Sequence, residues 1–329
     1  DIYMKTMQWL IFSRTRINKE EDMKHIAFTI DHKFVRFCAV TMVSILKNDT
    51  PSDITVHVVA NGLSEADRVV LSDLAATYGA FIAFYEVPLE KLEGYTIRWE
   101  GQRLPMVVFY RCLLASLLPD SVKKVLYLDS DILVLKPLDD FWNTNLEGKA
   151  LAGVPDDFTV NPVHCNRLGY DLSYNYFNGG VLLLNLDYWR QHNIEQQCKI
   201  YYKNNPERVL YNDQDLLNGL LHEHKVLVDM KWNVQEGAYR VPKGKTADWC
   251  PPYIDTILNP AILHYSSRKP WQYHCMHPLR HLYFEYQDLT PWKGENVLNN
   301  WKPRLHRFIH FLPYTLGLKR SKYLNIACK

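Results

Sequence analysis

The stretch Val125-Leu126-Tyr127-Leu128-Asp129-Ser130-Asp131 decides the fold class of this chain. Its four apolar residues predict a short buried strand, and two carboxylates follow where that strand ends. Open α/β sheets bind their ligands at the carboxyl ends of the strands. Two carboxylates placed there, two positions apart, can bind one divalent cation and a phosphate held by that cation.

A solvated acidic turn is the other interpretation of Asp129-Ser130-Asp131. The residues that follow, Ile132-Leu133-Val134-Leu135, are again apolar. Because carboxylates in so apolar a setting are costly unless they are paired or bound to a metal, the pattern favours a binding site.

An alternation of strands and helices surrounds this stretch. The capping box Ser64-Glu65-Ala66-Asp67 marks the start of one helix. Apolar runs and helical periodicity predict strands at 25–30, 54–59, 80–87, 125–128, 150–154, 179–186 and 261–263, and helices at 34–47, 64–78, 106–118, 187–204 and 214–223. Alternation of this kind is typical of an α/β fold.

The composition is that of an ordinary globular protein. Of 329 residues, 47% are hydrophobic and 22% are charged, which excludes a chain that is disordered over most of its length. No apolar run approaches the roughly 18 residues of a membrane span, and Trp9-Leu10-Ile11-Phe12 is too short for a signal-peptide core. We therefore expect a cytoplasmic protein.

The cysteines do not indicate cross-links. There are seven, an odd number, and no two have the C-x-x-C spacing of a zinc knuckle. We expect buried free thiols.

Charge divides the chain into regions. Residues 291–329 carry eight Lys and Arg against one Glu, whereas residues 1–290 carry 30 Lys and Arg against 35 acidic residues. We expect an N-terminal extension without assigned function at 1–22, a catalytic domain at 23–290 and a basic, aromatic tail at 291–329. Such a tail favours peripheral docking onto the anionic inner face of the cytoplasmic membrane. A solvated tail and nucleic-acid binding are the alternatives, and we expect no nucleic acid.

Further polar groups follow predicted strands or lie in predicted helices. They are Arg111, Asn178-Gly179-Gly180, Asp213-Gln214-Asp215 and His264-Tyr265-Ser266-Ser267-Arg268-Lys269-Pro270-Trp271. Structural explanations exist for each of them. The glycines can mark a bulge, Asp213 can be a helix N-cap with Asp215 in the first turn, and Arg111 can be a surface charge. A single histidine such as His264 is also usually structural.

Together and in chain order, these motifs resemble glycosyltransferase family 8. That family includes bacterial lipopolysaccharide galactosyl- and glucosyltransferases and, more distantly, glycogenin. The resemblance runs from about Met23 to Trp271 and is carried by Ile26-Ala27-Phe28-Thr29-Ile30-Asp31, Phe109-Tyr110-Arg111, Tyr127-Leu128-Asp129-Ser130-Asp131, Phe177-Asn178-Gly179-Gly180-Val181-Leu182, Asp213-Gln214-Asp215, and His264-Tyr265 with Lys269-Pro270-Trp271.

The resemblance implies an α/β protein with the GT-A fold, in which a Rossmann-like mixed sheet flanked by helices binds a nucleotide-diphospho-sugar. It implies transfer, with retention, of a hexose from UDP-galactose or UDP-glucose to a saccharide acceptor of lipopolysaccharide or another cell-envelope glycan. The implied cofactor is Mn²⁺, with Mg²⁺ as a substitute.

The resemblance also implies roles for individual residues. Asp129, Asp131 and His264 match the metal ligands. Asp213 and Gln214 match the catalytic positions, with Gln214 closest to the anomeric carbon. The donor-binding positions are Asp31, Arg111, Ser130, Asn178, Gly179, Ser266, Ser267 and Lys269. Among these, Asp31 matches the contact to uracil and Lys269 matches the cation on the diphosphate.

Two segments depart from the family pattern. His32-Lys33-Phe34 stands where the family often has Asp-Asn-Tyr, so the usual ribose contact from Asn is missing. Lys269 follows His264 by five positions rather than six, and Ser267 replaces the usual Gly. The shorter spacing and Ser267 together imply a phosphate loop of different shape.

Two other functions compete with glycosyl transfer. An apolar strand that ends in Asp-x-Asp also occurs in phosphohydrolases of the haloacid dehalogenase type, where the first Asp accepts a phosphoryl group covalently. That function leaves Asn178, Asp213 and His264 without a role. The other alternative is a non-catalytic protein that binds a nucleotide-sugar.

Overall fold

The computed structural model describes residues 23–95, 106–156 and 161–326, so the proposed extension at 1–22 lies outside the described residues. The strands are β1 (Lys24–Ile30), β2 (Ile54–Ala60), β3 (Phe81–Glu86), β4 (Lys124–Leu128), β5 (Ile132–Val134), β6 (Leu151–Pro155), β7 (Phe177–Asn185), β8 (Lys225–Leu227), β9 (Val234–Gln235) and β10 (Ile262–His264). Seven of them form a central sheet in the order β3-β2-β1-β4-β7-β6-β8.

Pairing in the central sheet is parallel except around β7. The strands β3, β2, β1 and β4 are parallel neighbours, and β8 is parallel to β6. The strand β7 is antiparallel to both β4 and β6. Because parallel strands end at the same edge, Asp31 after β1 and Asp129 after β4 both belong to one edge of a mixed sheet.

Helices cover both faces of this sheet. They are α1 (Val35–Asn48), α2 (Glu65–Tyr78), α3 (Leu114–Leu117), α4 (Asp139–Trp142), α5 (Asn161–Leu168), α6 (Leu186–Gln191), α7 (Ile194–Asn204), α8 (Asn212–Leu221), α9 (Ile254–Leu258), α10 (Arg280–Gln287) and α11 (Trp301–Thr315). Short 3₁₀ segments lie at His32–Phe34, Pro51–Asp53, Leu89–Leu92, Met106–Leu113, Leu172–Tyr174, Met230–Trp232, Glu236–Tyr239 and Val297–Asn299.

The central sheet separates two hydrophobic cores. Ile26, Phe28 and Ile30 of β1 pack with α1 and α2 on one face. Ala27, whose side chain points the other way, packs with α6, α7 and α8 on the opposite face. Since both faces are covered, the central strands are apolar at nearly every position, which is why they are recognisable in the sequence.

A second sheet of three strands, in the order β5-β10-β9, lies beside the DxD segment. The strand β10 is antiparallel to β5, with His264 opposite Ile132, and parallel to β9, with His264 opposite Gln235. This pairing brings the end of β10 next to the residues that follow β4. A third core that includes the buried residues Tyr239, Tyr265 and Tyr323 packs with this sheet.

The structure confirms the predicted strands, each to within two residues at either end, and corrects two helices. Residues Met106–Leu113 are 3₁₀ rather than α-helical, so the helix predicted at 106–118 is confirmed only at its end. The helix predicted at 187–204 is two helices, because Asn193 between α6 and α7 has a left-handed φ of 49°. Asparagine tolerates this conformation better than most residues.

Two further expectations concern buried free cysteines and the absence of a membrane-spanning segment. Six described cysteines are free, and five of them are buried; Cys250 is exposed, contrary to the expected burial. Cys328 lies outside the described residues. Within the described ranges, no helix combines the length and the apolar character that crossing a bilayer requires.

Candidate active site

Three side chains that could bind a metal converge where the two sheets meet. Asp129 follows β4, Asp131 precedes β5 and His264 ends β10. One ligand atom from each lies within 4.8 Å of the others. The pairing of β5 with β10 produces this convergence, and the backbone N–H of Tyr265 donates to the Asp131 carbonyl at 3.0 Å.

A chain of hydrogen bonds fixes the orientation of His264. The backbone N–H of Gly180 donates to Asn178 Oδ1 (3.0 Å), so this atom is an acceptor. Asn233 Nδ2 donates to the same oxygen (2.9 Å), which turns Asn233 Oδ1 toward His264 Nδ1 (2.9 Å). His264 Nδ1 is therefore the donor, and in the neutral ring the Nε2 lone pair points to the cluster.

The gap between His264 and Asp131 fits a bound cation. His264 Nε2 lies 3.3 Å from Asp131 Oδ1, and this buried oxygen accepts no hydrogen bond among the described residues. Two lone pairs that face each other at this distance repel unless a metal ion or a proton lies between them. Two carboxylate oxygens and one imidazole nitrogen are a donor set that divalent cations accept.

Lys269 controls the charge of Asp131. Burial opposes ionisation of this carboxyl, but the positive charge of Lys269, which contacts Asp131 Oδ2, outweighs burial and holds the Asp131 pKa well below its usual value. Asp131 is therefore ionised at neutral pH, as a metal ligand must be.

Gly180 gives the cluster its space. A Cβ at this position would lie 2.5 Å from His264 Cε1 and 2.8 Å from Asp129 Oδ2. Any larger residue would therefore displace a candidate ligand, so the second glycine of the Asn178-Gly179-Gly180 motif is required by a close approach of side chains.

Arg111 connects the cluster to a second buried carboxylate. Its guanidinium lies 2.9 Å from Asp129 Oδ1 and 2.9 Å from Asp213 Oδ2, and it donates to the Gly179 carbonyl at 2.5 Å. Burial opposes the charge on Arg111, but the two carboxylates outweigh burial and raise its pKa. Burial likewise raises the pKa of Asp213 to about 6, although Arg111 opposes this shift.

Gln214 is held at both ends of its amide group. Its Oε1 accepts from the backbone N–H of Gly179 at 2.7 Å and from Asn178 Nδ2 at 3.3 Å. Its Nε2 donates to Asp156 Oδ2 at 2.7 Å. Both ends of this amide are therefore held by hydrogen bonds beside the Asp129, Asp131 and His264 cluster.

The sequence and fold comparisons agree with this geometry. A family model described as glycosyl transferase family 8 matches residues 25–275, which is more than half of the chain. The chain belongs to glycosyl transferase family 8. It is accordingly a glycosyltransferase.

Other members and relatives of family 8 align with most of this chain. General stress protein A of Bacillus subtilis is 27% identical over 290 residues, covering 86% of this chain and 98% of that protein. Lipopolysaccharide glucosyltransferase WaaO of Escherichia coli is 26% identical over 342 residues, covering 97% of this chain and 96% of that protein. The solved galactosyltransferase LgtC, in complex with donor and acceptor sugar analogues, is 25% identical with a TM-score of 0.68, covering 81% of this chain and 96% of that chain. The mixed α/β structure is thus the expected GT-A fold.

Within this family 8 protein, direct contacts join most of the predicted site residues into one network. They are Arg111, Asp129, Asp131, Asn178, Gly179, Asp213, Gln214, His264 and Lys269. Four predicted donor residues lie outside this network of contacts. Ser130 is buried between the two aspartates, and Asp31 caps the 3₁₀ turn after β1 by accepting from the Lys33 N–H at 2.9 Å. Ser266 and Ser267 accept from Glu236 and Arg240 instead.

The N-cap interpretation of Asp213 is wrong. Tyr211 precedes α8, and Asp213 lies in the first turn, where its carboxylate pairs with Arg111. Asp215, also in that turn, is fully buried and receives Arg167 on both carboxylate oxygens at 2.7 and 2.8 Å. Asp213 thus belongs to the site and Asp215 supports the helix.

Three further residues complete the site, and the sequence did not indicate their roles. Tyr127 donates its hydroxyl to Asp129 Oδ1 at 2.6 Å, Asn233 orients His264, and Asp156 holds Gln214. The position of Tyr127, two residues before Asp129 on a strand, indicates that both face the same side. Asn233 and Asp156 have no local signal, because tertiary structure alone brings them to the site.

Proposed function

We propose that this glycosyltransferase transfers galactose or glucose, with retention, from a UDP-sugar to a saccharide acceptor. The observation that carries the proposal is the partly buried network in which the Asp129, Asp131 and His264 cluster adjoins Asp213 and Gln214. Departure of UDP develops negative charge on the diphosphate and positive charge on the sugar ring. The network offers a cation site for the first and carboxylate and amide groups for the second.

Mn²⁺ is the metal we propose for the cluster, with Mg²⁺ as a substitute. Asp129, Asp131 and His264 would hold the ion, and a mixed set of oxygen and nitrogen ligands suits a borderline ion. When bound, the ion would neutralise charge on the leaving diphosphate. Lys269, Ser266 and Ser267 would contact the same diphosphate from the loop after β10, whereas Asp31 and Ser130 would contact the nucleoside.

For the retaining step, we propose attack by the acceptor hydroxyl from the face that UDP leaves. The bond from the anomeric carbon to the phosphate oxygen breaks, the bond to the acceptor oxygen forms, and the leaving phosphate oxygen takes the hydroxyl proton. Asp213 is paired with Arg111, and Gln214 is held by Gly179 and Asp156. Neither side chain is placed as a free nucleophile, which supports this step over double displacement. A trapped glycosyl adduct on Asp213 or Gln214 would overturn it.

For the acceptor, we propose lipopolysaccharide or another glycan of the cell envelope. WaaO, a lipopolysaccharide glucosyltransferase, aligns with 97% of this chain. WaaO and LgtC are named for different hexoses, so the comparison leaves glucose and galactose as the two donors to test.

We also propose that the C-terminal tail docks onto the anionic inner face of the cytoplasmic membrane. The helix α11 contains no buried residue, and one side of it is exposed and apolar at helical spacing. Its exposed apolar residues are Trp301, Leu305, Phe308, Ile309 and Leu312. Lys302, Arg304, Lys319 and Arg320 supply the positive charge that anionic lipids attract.

The two competing functions have less support. A phosphohydrolase of the haloacid dehalogenase type needs Asp129 as a nucleophile, but Tyr127 and Arg111 both occupy Asp129 Oδ1. A non-catalytic binding protein would not need the Gln214 and Asp213 arrangement. Membership in a family of transferases favours catalysis over both.

The decisive experiment is release of UDP from a panel of UDP-sugars with Mn²⁺, with Mg²⁺ and with EDTA. We expect metal-dependent release from one hexose donor, and at least about a hundredfold loss in Asp131→Ala because the site loses a ligand. Asp171→Ala, which removes an exposed carboxylate from a turn outside the network, is the matched control and should retain activity. Wild-type activity in Asp131→Ala would refute the metal site, and release of phosphate in place of UDP would favour the phosphohydrolase.

A further inference from the structure

A buried carboxylate outside the network described above holds the loop that follows β10. Glu236 is fully buried, and a buried carboxylate is costly unless its oxygens are hydrogen-bonded. Its Oε1 accepts from the Tyr323 hydroxyl and from Arg240 Nη2 (2.8 Å), and its Oε2 accepts from the Arg268 backbone N–H (2.6 Å). Burial opposes ionisation of Glu236, but these hydrogen bonds outweigh it and lower its pKa.

The same residues hold the two serines of that loop. The backbone N–H of Glu236 donates to Ser266 Oγ at 3.3 Å, and Arg240 Nη2 donates to Ser267 Oγ at 3.0 Å. Together with the bond to Arg268, three consecutive residues of the loop are fixed. Because each serine oxygen accepts from the protein, each hydroxyl still has a proton to donate to another group. Phosphate oxygens are strong hydrogen-bond acceptors, so the two serine hydroxyls can donate to them.

Tyr323 reaches this carboxylate from the far end of the chain. It follows α11, is 8% exposed, and forms an isolated antiparallel bridge with Arg240. The Val241 N–H donates to the Lys322 carbonyl at 2.9 Å, and the Leu324 N–H donates to the Tyr239 carbonyl at 2.8 Å. The segment after α11 thus returns to the body of the protein and contacts the support of the loop.

We propose that Glu236, Arg240 and Tyr323 are positioning residues for the donor diphosphate. They hold the loop Ser266–Lys269 so that the two serine hydroxyls and Lys269 meet the phosphate oxygens of the UDP-sugar. The C-terminal segment is therefore part of the support of the donor site as well as the continuation of the proposed membrane helix. This inference rests on the proposed function, because the diphosphate is the ligand that the loop would bind.

Tyr323→Phe tests the proposal with a small change. The substitution removes one hydroxyl bond to Glu236, and Tyr239→Phe is the matched control, since it removes a buried hydroxyl bond to the Ile257 carbonyl in the same core. We expect both variants to lose similar thermal stability. Only Tyr323→Phe should speed amide hydrogen exchange in residues 266–269 and weaken UDP binding in the presence of Mn²⁺, by roughly three- to tenfold in calorimetry. Its KM for the UDP-sugar should rise by a similar factor, with kcat nearly unchanged.

The two measurements separate the possible failures. Unchanged exchange in residues 266–269 would show that Tyr323 does not hold the loop and would overturn the proposal. Faster exchange with unchanged UDP affinity would show that the loop does not bind the diphosphate and would also overturn it. If the wild-type protein binds no UDP, both the proposed function and the role of the loop in donor binding are refuted. The exchange result still decides whether Tyr323 holds the loop.

Discussion

Single atoms decide the geometry of the candidate metal site. The acceptor character of Asn178 Oδ1 follows from one backbone donor, Gly180, and passes through Asn233 to the ring of His264. The family resemblance implies that Asn178 binds the donor, yet both polar atoms of its side chain bind protein groups. In this structure Asn178 orients His264, a candidate metal ligand, through Asn233, and it also holds Gln214.

Gly180→Ala should disrupt the metal site while the protein stays folded. The new methyl group would need the space of His264 Cε1 and Asp129 Oδ2. We expect Mn²⁺ affinity, measured in the presence of UDP, to fall by about ten- to a hundredfold, and the free energy of unfolding to fall by about 1–3 kcal/mol from overpacking.

Gly153→Ala is the matched control for this substitution. It adds a methyl group to a buried strand glycine, 3.2 Å from Leu182 Cδ2 and away from the cluster. It should lose stability without a comparable loss of metal affinity. Equal Mn²⁺ affinity in the two variants would contradict the role of Gly180.

At the scale of elements, buried charges position α8, and a pair formed by the half-buried His25 and the buried His57 joins β1 to β2. Asp215 accepts from Arg167, from the Tyr176 hydroxyl (2.9 Å) and from the backbone N–H of Leu210 (2.7 Å). These bonds fix the start of the helix that carries Asp213 and Gln214. The sequence motif Asp-Gln-Asp thus combines two site residues with one structural residue.

Asp215→Asn should strongly destabilise the protein. The substitution removes a fully buried carboxylate that accepts from the partly buried Arg167 and from the backbone N–H groups of Leu210 and Tyr211, so we expect a loss of about 3–5 kcal/mol in the free energy of unfolding. Asp187→Asn removes an exposed partner of Lys123 and should cost less than about 1 kcal/mol. Urea unfolding of both variants measures the difference, and similar midpoints would show that the buried pair contributes little.

The histidine pair should make the stability of the sheet sensitive to acid. His25 Nδ1 lies 2.9 Å from His57 Nε2, and His57 Nδ1 lies 3.0 Å from the Tyr85 hydroxyl. Burial lowers the pKa of His25 to about 4, and burial together with the charge of His25 lowers the pKa of His57 to about 3. The unfolded chain binds these protons below its ordinary pKa of 6.5, whereas the folded protein does not until about pH 4.

Stability from this pair is therefore complete above pH 6.5 and is lost as the pH falls toward 4. Through each histidine, the free energy of unfolding should fall by about 2 kcal/mol between about pH 7 and pH 5. His57→Gln should reduce this pH dependence by about that amount in urea unfolding, and His281→Gln, at an exposed position, should leave it unchanged. An unaltered pH dependence in His57→Gln would refute the assignment.

At the scale of the whole molecule, the C-terminal region has two different sides. The side of α11 that faces the body is anchored by Arg307, which donates to the Tyr273 and Cys275 carbonyls at 2.5 and 3.0 Å. The other side presents Trp301 and Phe308, which are 68% and 62% exposed. A helix of this kind can lie on a membrane surface without leaving the protein.

The double variant Trp301→Ser, Phe308→Ser should pellet less with anionic vesicles than the wild type. We expect a loss of about tenfold or more in vesicle affinity because two exposed rings no longer enter the interface. The control Phe81→Ser, Leu89→Ser removes two exposed apolar residues at another place and should pellet like the wild type. Added salt should also weaken binding of the wild type, since cations on the tail attract the lipids. Equal pelleting of both double variants would contradict docking through α11.

The sequence by itself determined the α/β class, the family and seven of the ten strands in the described residues; the short strands β5, β8 and β9 were not predicted. Strands buried on both faces are apolar at nearly every position, and the family motifs lie at strand ends or in helices, so local patterns suffice to recognise them. The proximity of the candidate metal ligands Asp129 and Asp131 could be predicted because both belong to one local segment.

Only the tertiary structure decided how the site is held. Asn233 reaches His264 because β9 pairs with β10, and Glu236 meets Tyr323 across 87 positions of sequence. Gly180 and the separate roles of Asp213 and Asp215 likewise depend on side chains from other strands and helices. Hydrogen bonds and close contacts between distant segments have no periodicity along the chain, so no local pattern could predict them.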